Sequence, residues 1–346
     1  MKRSTLVVRL DNAGDVLLAG PAVRAVSASG RSVTLLAGPA GAAAGRLLPG
    51  VDDVVTWTAP WVPDPAPPVD VTAVHALVEM LGRRGFDEAL VLTSFHQSPL
   101  PMALLLRLAG IGRIAATSVD YPGSLLDARV GYDPALHEVE QQLAVAAALG
   151  HRLAPDDDGA LAVTVQRPAP AAGPPYVVLH PGASVAARAI PPDLAASSAR
   201  ALVAAGWTVV VTGTPADRPT AEAIVEGAGR GVVDLTGATD LEGLARTIAA
   251  ADAIVVGNTG PAHLAAAVAT PVVQVFAPTV DPRRWAPWQV PHRLLGRTTI
   301  DCAGCRARRC PIPGQPCVGA VTAHDVVDAL AALAPRPARH ISEVAT

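Results

Sequence analysis

One stretch of the chain, residues 253–279 with the sequence AIVVGNTGPAHLAAAVATPVVQVFAPT, leaves few architectures open. An apolar run from Ala253 to Val256 breaks into Gly257-Asn258-Thr259-Gly260-Pro261. An Ala-rich helical pattern carrying His263 follows, and a second apolar run spans Val272 to Phe276. Strand, tight polar turn, helix and strand make the βαβ unit of a parallel sheet. The free N–H groups at the start of such a helix form a seat for an anion such as a diphosphate. Gly257 and Gly260 let the chain approach a ligand closely, because no Cβ intervenes. An ordinary βα turn would read the same in isolation, so the neighbours decide.

The neighbours repeat the rhythm. Thr5 to Leu10 reads as a first strand, Asp11-Asn12-Ala13-Gly14-Asp15 as the turn after it, and Val16 to Ser29 as a helix. Further strands are expected at Val33–Leu36, Val54–Trp57, Glu88–Leu92 and Arg113–Ala116, with helices at Leu77–Arg84, Pro101–Ala109 and Leu136–Leu149. The Pro/Ala/Gly run RPAPAAGPP, residues 167–175, reads as a linker. The rhythm restarts at Tyr176–His180 and continues through a helix at Pro192–Ala205 and strands at Thr208–Thr212 and Val232–Leu235. A helix from Ala323 to Leu333 closes it. The expected class is α/β, with two Rossmann-like, doubly wound domains: residues 1–166, then 176–334, with a loose tail at 335–346. Ligands of open α/β sheets sit at the carboxyl ends of the strands, so the natural site is a cleft between the two halves.

Composition narrows the chemistry. Half of the 346 residues are hydrophobic but only 3% are aromatic, so the core must be built from Ala, Val and Leu. A net charge of −3 with dispersed charges argues against a nucleic-acid partner. No secretion signal and no run of about 18 apolar residues is visible, so the expected compartment is the cytoplasm, compatible with work beside a membrane. All four cysteines, Cys302, Cys305, Cys310 and Cys317, fall in one loop. In a cytoplasmic chain such clustering favours a structural zinc or iron–sulfur site over disulfides, with reduced thiols as the alternative.

The dispersed segments VVRLDNAGDVLLAGPAVRAV, VVLHPGASVAARAIPP and VVDLTGATDLEGLARTIAAADAIVVGNTGPAHLAAAVATPVVQVFAPT together resemble glycosyltransferase family 9, the heptosyltransferase-like enzymes. The resemblance implies a GT-B fold and inverting transfer from a nucleotide-diphosphate sugar such as ADP-heptose, with no cofactor required for catalysis. It also implies a glycan or small-molecule acceptor.

Inverting transfer needs a carboxylate to take the acceptor proton and positive charge or N–H donors on the leaving diphosphate. Asp15, at the carboxyl end of the first strand, matches the family's catalytic base, with Asp11 as second choice. Two carboxylates this close could raise one pKa, which suits a base. Gly182 and Ser184, after the Tyr176–His180 strand, suit close approach and hydroxyl donation to phosphate. Arg188 falls where the family often carries a basic residue and can fork phosphate oxygens. Thr259, Gly260 and His263 match the family turn, whereas Asn258 stands where an acid is common, which bears on donor identity. His263 is open between binding phosphate and packing. Thr236 lies in a segment resembling the one before the nucleotide pocket, and Glu242 on the next helix is open between that pocket and a surface acid. Asp156-Asp157-Asp158 reads as a solvated acidic loop rather than a metal site. Arg306, Arg308 and Arg309 read as hydrated surface around the cysteines, with contact to an anionic acceptor as the other reading. The alternatives are a GT-B nucleotide-sugar epimerase or hydrolase, and a non-catalytic nucleotide-sugar-binding or redox-sensing protein.

Overall fold

The structure, a computed structural model, describes residues 3–166 and 175–334. The first half runs β1 (Ser4–Arg9), α1 (Ala13–Leu18), α2 (Gly20–Ala28), β2 (Ser32–Ala37), α3 (Ala42–Leu47), β3 (Asp53–Thr56), α4 (Val71–Arg84), β4 (Glu88–Val91), α5 (Leu100–Leu108), β5 (Arg113–Thr117), β6 (Ala128–Val130) and α6 (Glu138–Ala148). The second runs β7 (Tyr176–His180), α7 (Pro192–Ala204), β8 (Thr208–Val211), α8 (Arg218–Ala228), β9 (Val232–Asp234), α9 (Leu241–Ala249), β10 (Ala253–Gly257), α10 (Gly260–Ala267), β11 (Val272–Val275), α11 (Pro282–Trp285), β12 (His292–Leu295) and α12 (Ala323–Leu333). Each half holds one six-stranded sheet, ordered β3-β2-β1-β4-β5-β6 and β12-β11-β10-β7-β8-β9. Every pairing is parallel. Both sheets thus share the doubly wound order, which reverses between β1 and β4 in one and between β7 and β10 in the other. That reversal opens a crevice at the strands' carboxyl ends.

The central strands are buried on both faces, as β4 and β10 show along their whole length. Parallel sheets covered by helices demand such continuous apolar runs. The halves are not independent beads. One apolar cluster runs through both, with Val16, Leu17 and Ala42 from the first lobe and Leu244, Ala262 and Leu264 from the second.

Polar ties add direction to this contact. Arg284, 2% exposed, pairs with Glu138 at 2.5 Å and donates to the carbonyls of Asp133 (2.7 Å) and Leu136 (3.0 Å). Burial pushes the His137 pKa down, although its bond to the Ala286 carbonyl works the other way. Its ring stacks on Trp288 at 4.5 Å, with Nδ1 accepting from the Val139 N–H and Nε2 donating to that carbonyl.

Two local expectations need correction. The helix expected over 16–29 is two helices, α1 and α2, joined at Ala19. Pro21 has no N–H, and its ring would clash with the carbonyl four residues back, so the helix restarts with Pro in its first turn. The turn expected over Asp11–Asp15 ends early, because α1 already begins at Ala13. Asp15 therefore sits in the first turn of a helix. The expected linker, apart from Pro175, and the expected tail at 335–346 lie outside the described residues.

Candidate active site

Asp15 owes its position to β1 and α1, which meet at the reversal point of the first sheet. The helix's partial positive N-terminus favours a carboxylate in the first turn. Beneath it lies Arg9, the last residue of β1 and fully buried. Its Nη2 donates to Asp15 Oδ1 at 3.0 Å and to Ser94 Oγ at 2.9 Å. Its Nε approaches Asp11 Oδ2 at 3.0 Å as an ion contact without hydrogen-bond alignment. Gln97 Nε2 donates to the other Asp11 oxygen at 2.5 Å. Burial pushes the Asp11 carboxyl above its usual range. Arg9 opposes that shift, and Asp15 adds to it. One buried cation thus serves two carboxylates.

These groups face a cavity of about 850 Å³ between the lobes. Asp11, Asp15, His96 and Gln97 line it from the first lobe, and Ser184, Arg188, Arg306 and Arg308 from the second. Burial lowers the His96 pKa; Asp11 resists, while Arg306, Arg9 and Arg188 add to the fall, so His96 is neutral near pH 7. Arg188 ends a short helical turn, Ala186–Arg188, and its Nε donates to Thr279 Oγ1 at 3.0 Å. Burial works against the Arg188 charge, Asp15 across the cleft supports it, and Arg308 works against it.

The turn after β10 is built for close approach. A Cβ on Gly257 would fall 2.3 Å from the Arg188 carbonyl oxygen, and that carbonyl accepts the Asn258 N–H at 3.0 Å. A Cβ on Gly14 would lie 2.9 Å from Gly260 Cα and 3.2 Å from His263 Cδ2. The Gly14-Asp15 turn of one lobe therefore rests directly on the Gly260 turn of the other. Two glycines on opposite lobes permit the contact that brings Asp15 towards the second lobe.

The remaining expected residues divide. His263 is buried at this contact, and burial pushes its pKa down to about 3, with His137 adding to the fall. It is neutral at pH 7 and offers a phosphate no positive charge. Its ring lies against Gly14 and Trp285, and its Nδ1 has no hydrogen-bond partner among the described residues. Asn258 is buried, and its Nδ2 has no partner among the described residues. Thr259 caps α10 through its backbone without a side-chain bond. Gly182 does not line the cavity: a Cβ there would meet the Asp217 carboxylate at 2.3 Å. Thr236 is buried beyond β9, also outside the cavity lining.

Burial raises the Cys317 pKa, with Cys310 and Cys302 adding to it, so these thiols are neighbours without forming a closed site among the described residues. Cys302, Cys305, Cys310 and Cys317 are free thiols, and among the described residues no three His, Cys, Asp or Glu side chains converge on a point that could hold a metal ion. The loop residues Arg306 and Arg308 are exposed but line the cleft, which corrects their reading as mere hydrated surface. Asp157 forms an interelement pair with Arg24 at 2.7 Å, a structural role. Arg9, Ser94, His96 and Gln97 were not legible as site residues. The only signal was a charged residue ending an apolar strand.

Two doubly wound lobes with facing carboxyl ends, a carboxylate on one and an arginine on the other, define the GT-B fold. The model of glycosyltransferase family 9 (heptosyltransferase) matches residues 74–315, and the chain belongs to that family. Among solved structures it is similar to the ADP-heptose LPS heptosyltransferase II of E. coli, at 23% identity and a TM-score of 0.73, covering 96% of this chain and 98% of that one. It is also similar to a family 9 glycosyltransferase from Veillonella parvula, at 15% identity and a TM-score of 0.76, covering 96% and 97%. A third likeness is E. coli heptosyltransferase WaaC with ADP, at 19% identity and a TM-score of 0.69, covering 94% and 98%. No curated protein matches the sequence. Among the described residues no helix is long and apolar enough to cross a membrane.

Proposed function

We propose that this chain transfers heptose or a related sugar, with inversion, from a nucleotide-diphosphate sugar such as ADP-heptose to a hydroxyl of a cell-envelope glycan or secondary-metabolite acceptor. The observation that carries the reading is that Asp15 and Arg188 line one cavity from opposite lobes. The first lobe holds the acceptor and the second the donor. The acceptor oxygen attacks the sugar C1 from the Asp15 side, and the bond from C1 to the diphosphate oxygen breaks on the other. The acceptor proton passes to Asp15, and the nucleoside diphosphate leaves with one more negative charge, held by Arg188 and the N-terminus of α10. Closing the lobes excludes water that would otherwise hydrolyse the donor. Asn258 lies buried outside the cleft lining, its Nδ2 unpartnered among the described residues, where the family commonly has an acid; an amide reached by the donor sugar there would select its hydroxyl by hydrogen bonding without charge. Of the E. coli neighbours, one is an ADP-heptose transferase and another was solved with ADP, which supports ADP as the first nucleotide to try.

The test supplies ADP-heptose with an envelope glycan extract and measures acceptor-dependent release of ADP and the anomeric configuration of the product. The unaltered chain forms product of inverted configuration. Asp15→Asn lowers transfer by about 10²–10⁴-fold while the donor still binds. Retained configuration, or full activity in the variant, would refute the base assignment.

A further inference from the structure

The cysteine-rich loop is stitched to the turn that carries Arg188. The Arg308 carbonyl accepts the Ala187 N–H at 3.0 Å, and Gln315 Nε2 donates to the Ala187 carbonyl at 2.7 Å. The Arg306 N–H donates at 3.0 Å to the carbonyl of Thr279, whose hydroxyl accepts from Arg188. Loop and turn are thus one unit, and its polar bonds fall at the residues flanking the cleft.

That unit aims its arginines inward. Arg306 takes φ +53°, a left-handed conformation costly for a side-chain-bearing residue, and its guanidinium lies 4.5 Å over the Phe95 ring of the first lobe. Arg308 reaches Asp64, but at 3.6 Å between two exposed groups, which contributes little. Among the described residues, the Arg188 side chain has a neutral hydroxyl, that of Thr279, as its hydrogen-bond partner. The cavity wall therefore carries guanidiniums with donors to spare, and burial, with Arg308 adding to it, works against the Arg188 charge until an anion enters.

We infer that Arg308, delivered by the cysteine-rich loop, is a second arginine on the donor diphosphate, closing with Arg188 a two-guanidinium clamp across the leaving group. The inference rests on the donor assignment proposed above. Cleavage of the bond from C1 to the diphosphate oxygen leaves that oxygen's electron pair on the diphosphate, and the second guanidinium offsets the added charge without a metal ion. The diphosphate also competes with Asp64 for Arg308, so donor entry exchanges a weak interlobe pair for a bidentate contact. The four cysteines then belong to a scaffold whose purpose is to hold this arm.

Calorimetric titration with ADP, AMP and inorganic pyrophosphate tests it. The unaltered chain prefers ADP to AMP and binds pyrophosphate. Arg308→Ala weakens ADP and pyrophosphate by about ten- to a hundredfold and AMP far less, and Arg308→Lys recovers part of the loss. Unchanged circular dichroism and melting in both variants separate this from misfolding. An unaltered ADP-to-AMP preference in Arg308→Ala overturns the clamp, and an accompanying rise in the acceptor's KM reassigns Arg308 to the acceptor. Loss of ADP binding in Arg188→Ala but not in Arg308→Ala overturns the clamp alone. Absence of any ADP or pyrophosphate binding by the unaltered chain overturns the donor assignment with it.

Discussion

Arg9 decides how the site's charges coexist. Asp11 and Asp15 both lie within 3.0 Å of its guanidinium, which is wholly buried. Removing it as Arg9→Met leaves two carboxylates facing each other without a cation. The expected cost is about 3–5 kcal/mol, because breaking a buried pair strands its partner's charge. Urea unfolding at pH 7 measures it. The deficit should shrink as the pH falls, since the Asp11 carboxyl, raised by burial and by Asp15, takes up a proton in the folded chain before an ordinary carboxylate would, and the repulsion ends. A deficit that does not change with pH would mean the loss is one of packing. In the sequence Arg9 looks like an interruption of an apolar strand. Its role comes from Ser94, 85 residues away, and from two acids that the chain folds over it. Asp15 was legible, because a Gly-Asp pair after a first strand is a local pattern. The ring of partners that holds it is not local and left no pattern.

At the level of elements, the contact between the start of α1 and the start of α10 sets the cleft. Gly14→Ala places a methyl 2.9 Å from the Gly260 backbone, which cannot yield as a side-chain tip would. The variant should lose about 1–3 kcal/mol and much of its transfer activity as the lobes are wedged apart. Equilibrium unfolding and initial rates check both parts. Stability equal to the unaltered chain would show that the lobes do not rest on these glycines. The alternation of central strands and helices could be read from apolar runs, and β1, β7, β10 and β11 fall where those runs lie. β6 and β12 could not be found this way. They are edge strands, partly exposed and carrying Arg129, His292 and Arg293, so no apolar run marks them. The polar pattern of α8 and the short, Ala-rich α3 hid those helices for the same reason.

Across the whole molecule, buried imidazoles govern acid tolerance. Burial pushes His180 down to about 4, against the pull of Asp217, and His263 down to about 3. The unfolded chain protonates both near pH 6.5, whereas the folded chain holds them neutral. Their contribution is therefore intact above pH 6.5 and erodes as the pH falls below it, by about 1.4 kcal/mol per pH unit for each, until the folded values are reached. Melting temperatures should hold from pH 7.5 to about 6.5 and fall steadily from there to about pH 4.5. A flat profile down to pH 5 would mean these rings are hydrated. The two-lobe plan was readable from the restart of the βα rhythm at Tyr176, but the shared apolar cluster and the Arg284 tie to the first lobe were not. Those depend on which faces meet, and periodicity within one segment carries no such information.

The central claim is that one cleft holds an activated sugar between a carboxylate and an arginine. Titrating ADP-heptose into the unaltered chain, Asp15→Asn and Arg188→Ala tests it most directly. Binding should persist in the first two and fall at least about tenfold in the third, as loss of a charged contact on phosphate requires. Equal affinity in all three, or no binding by the unaltered chain, would contradict the account.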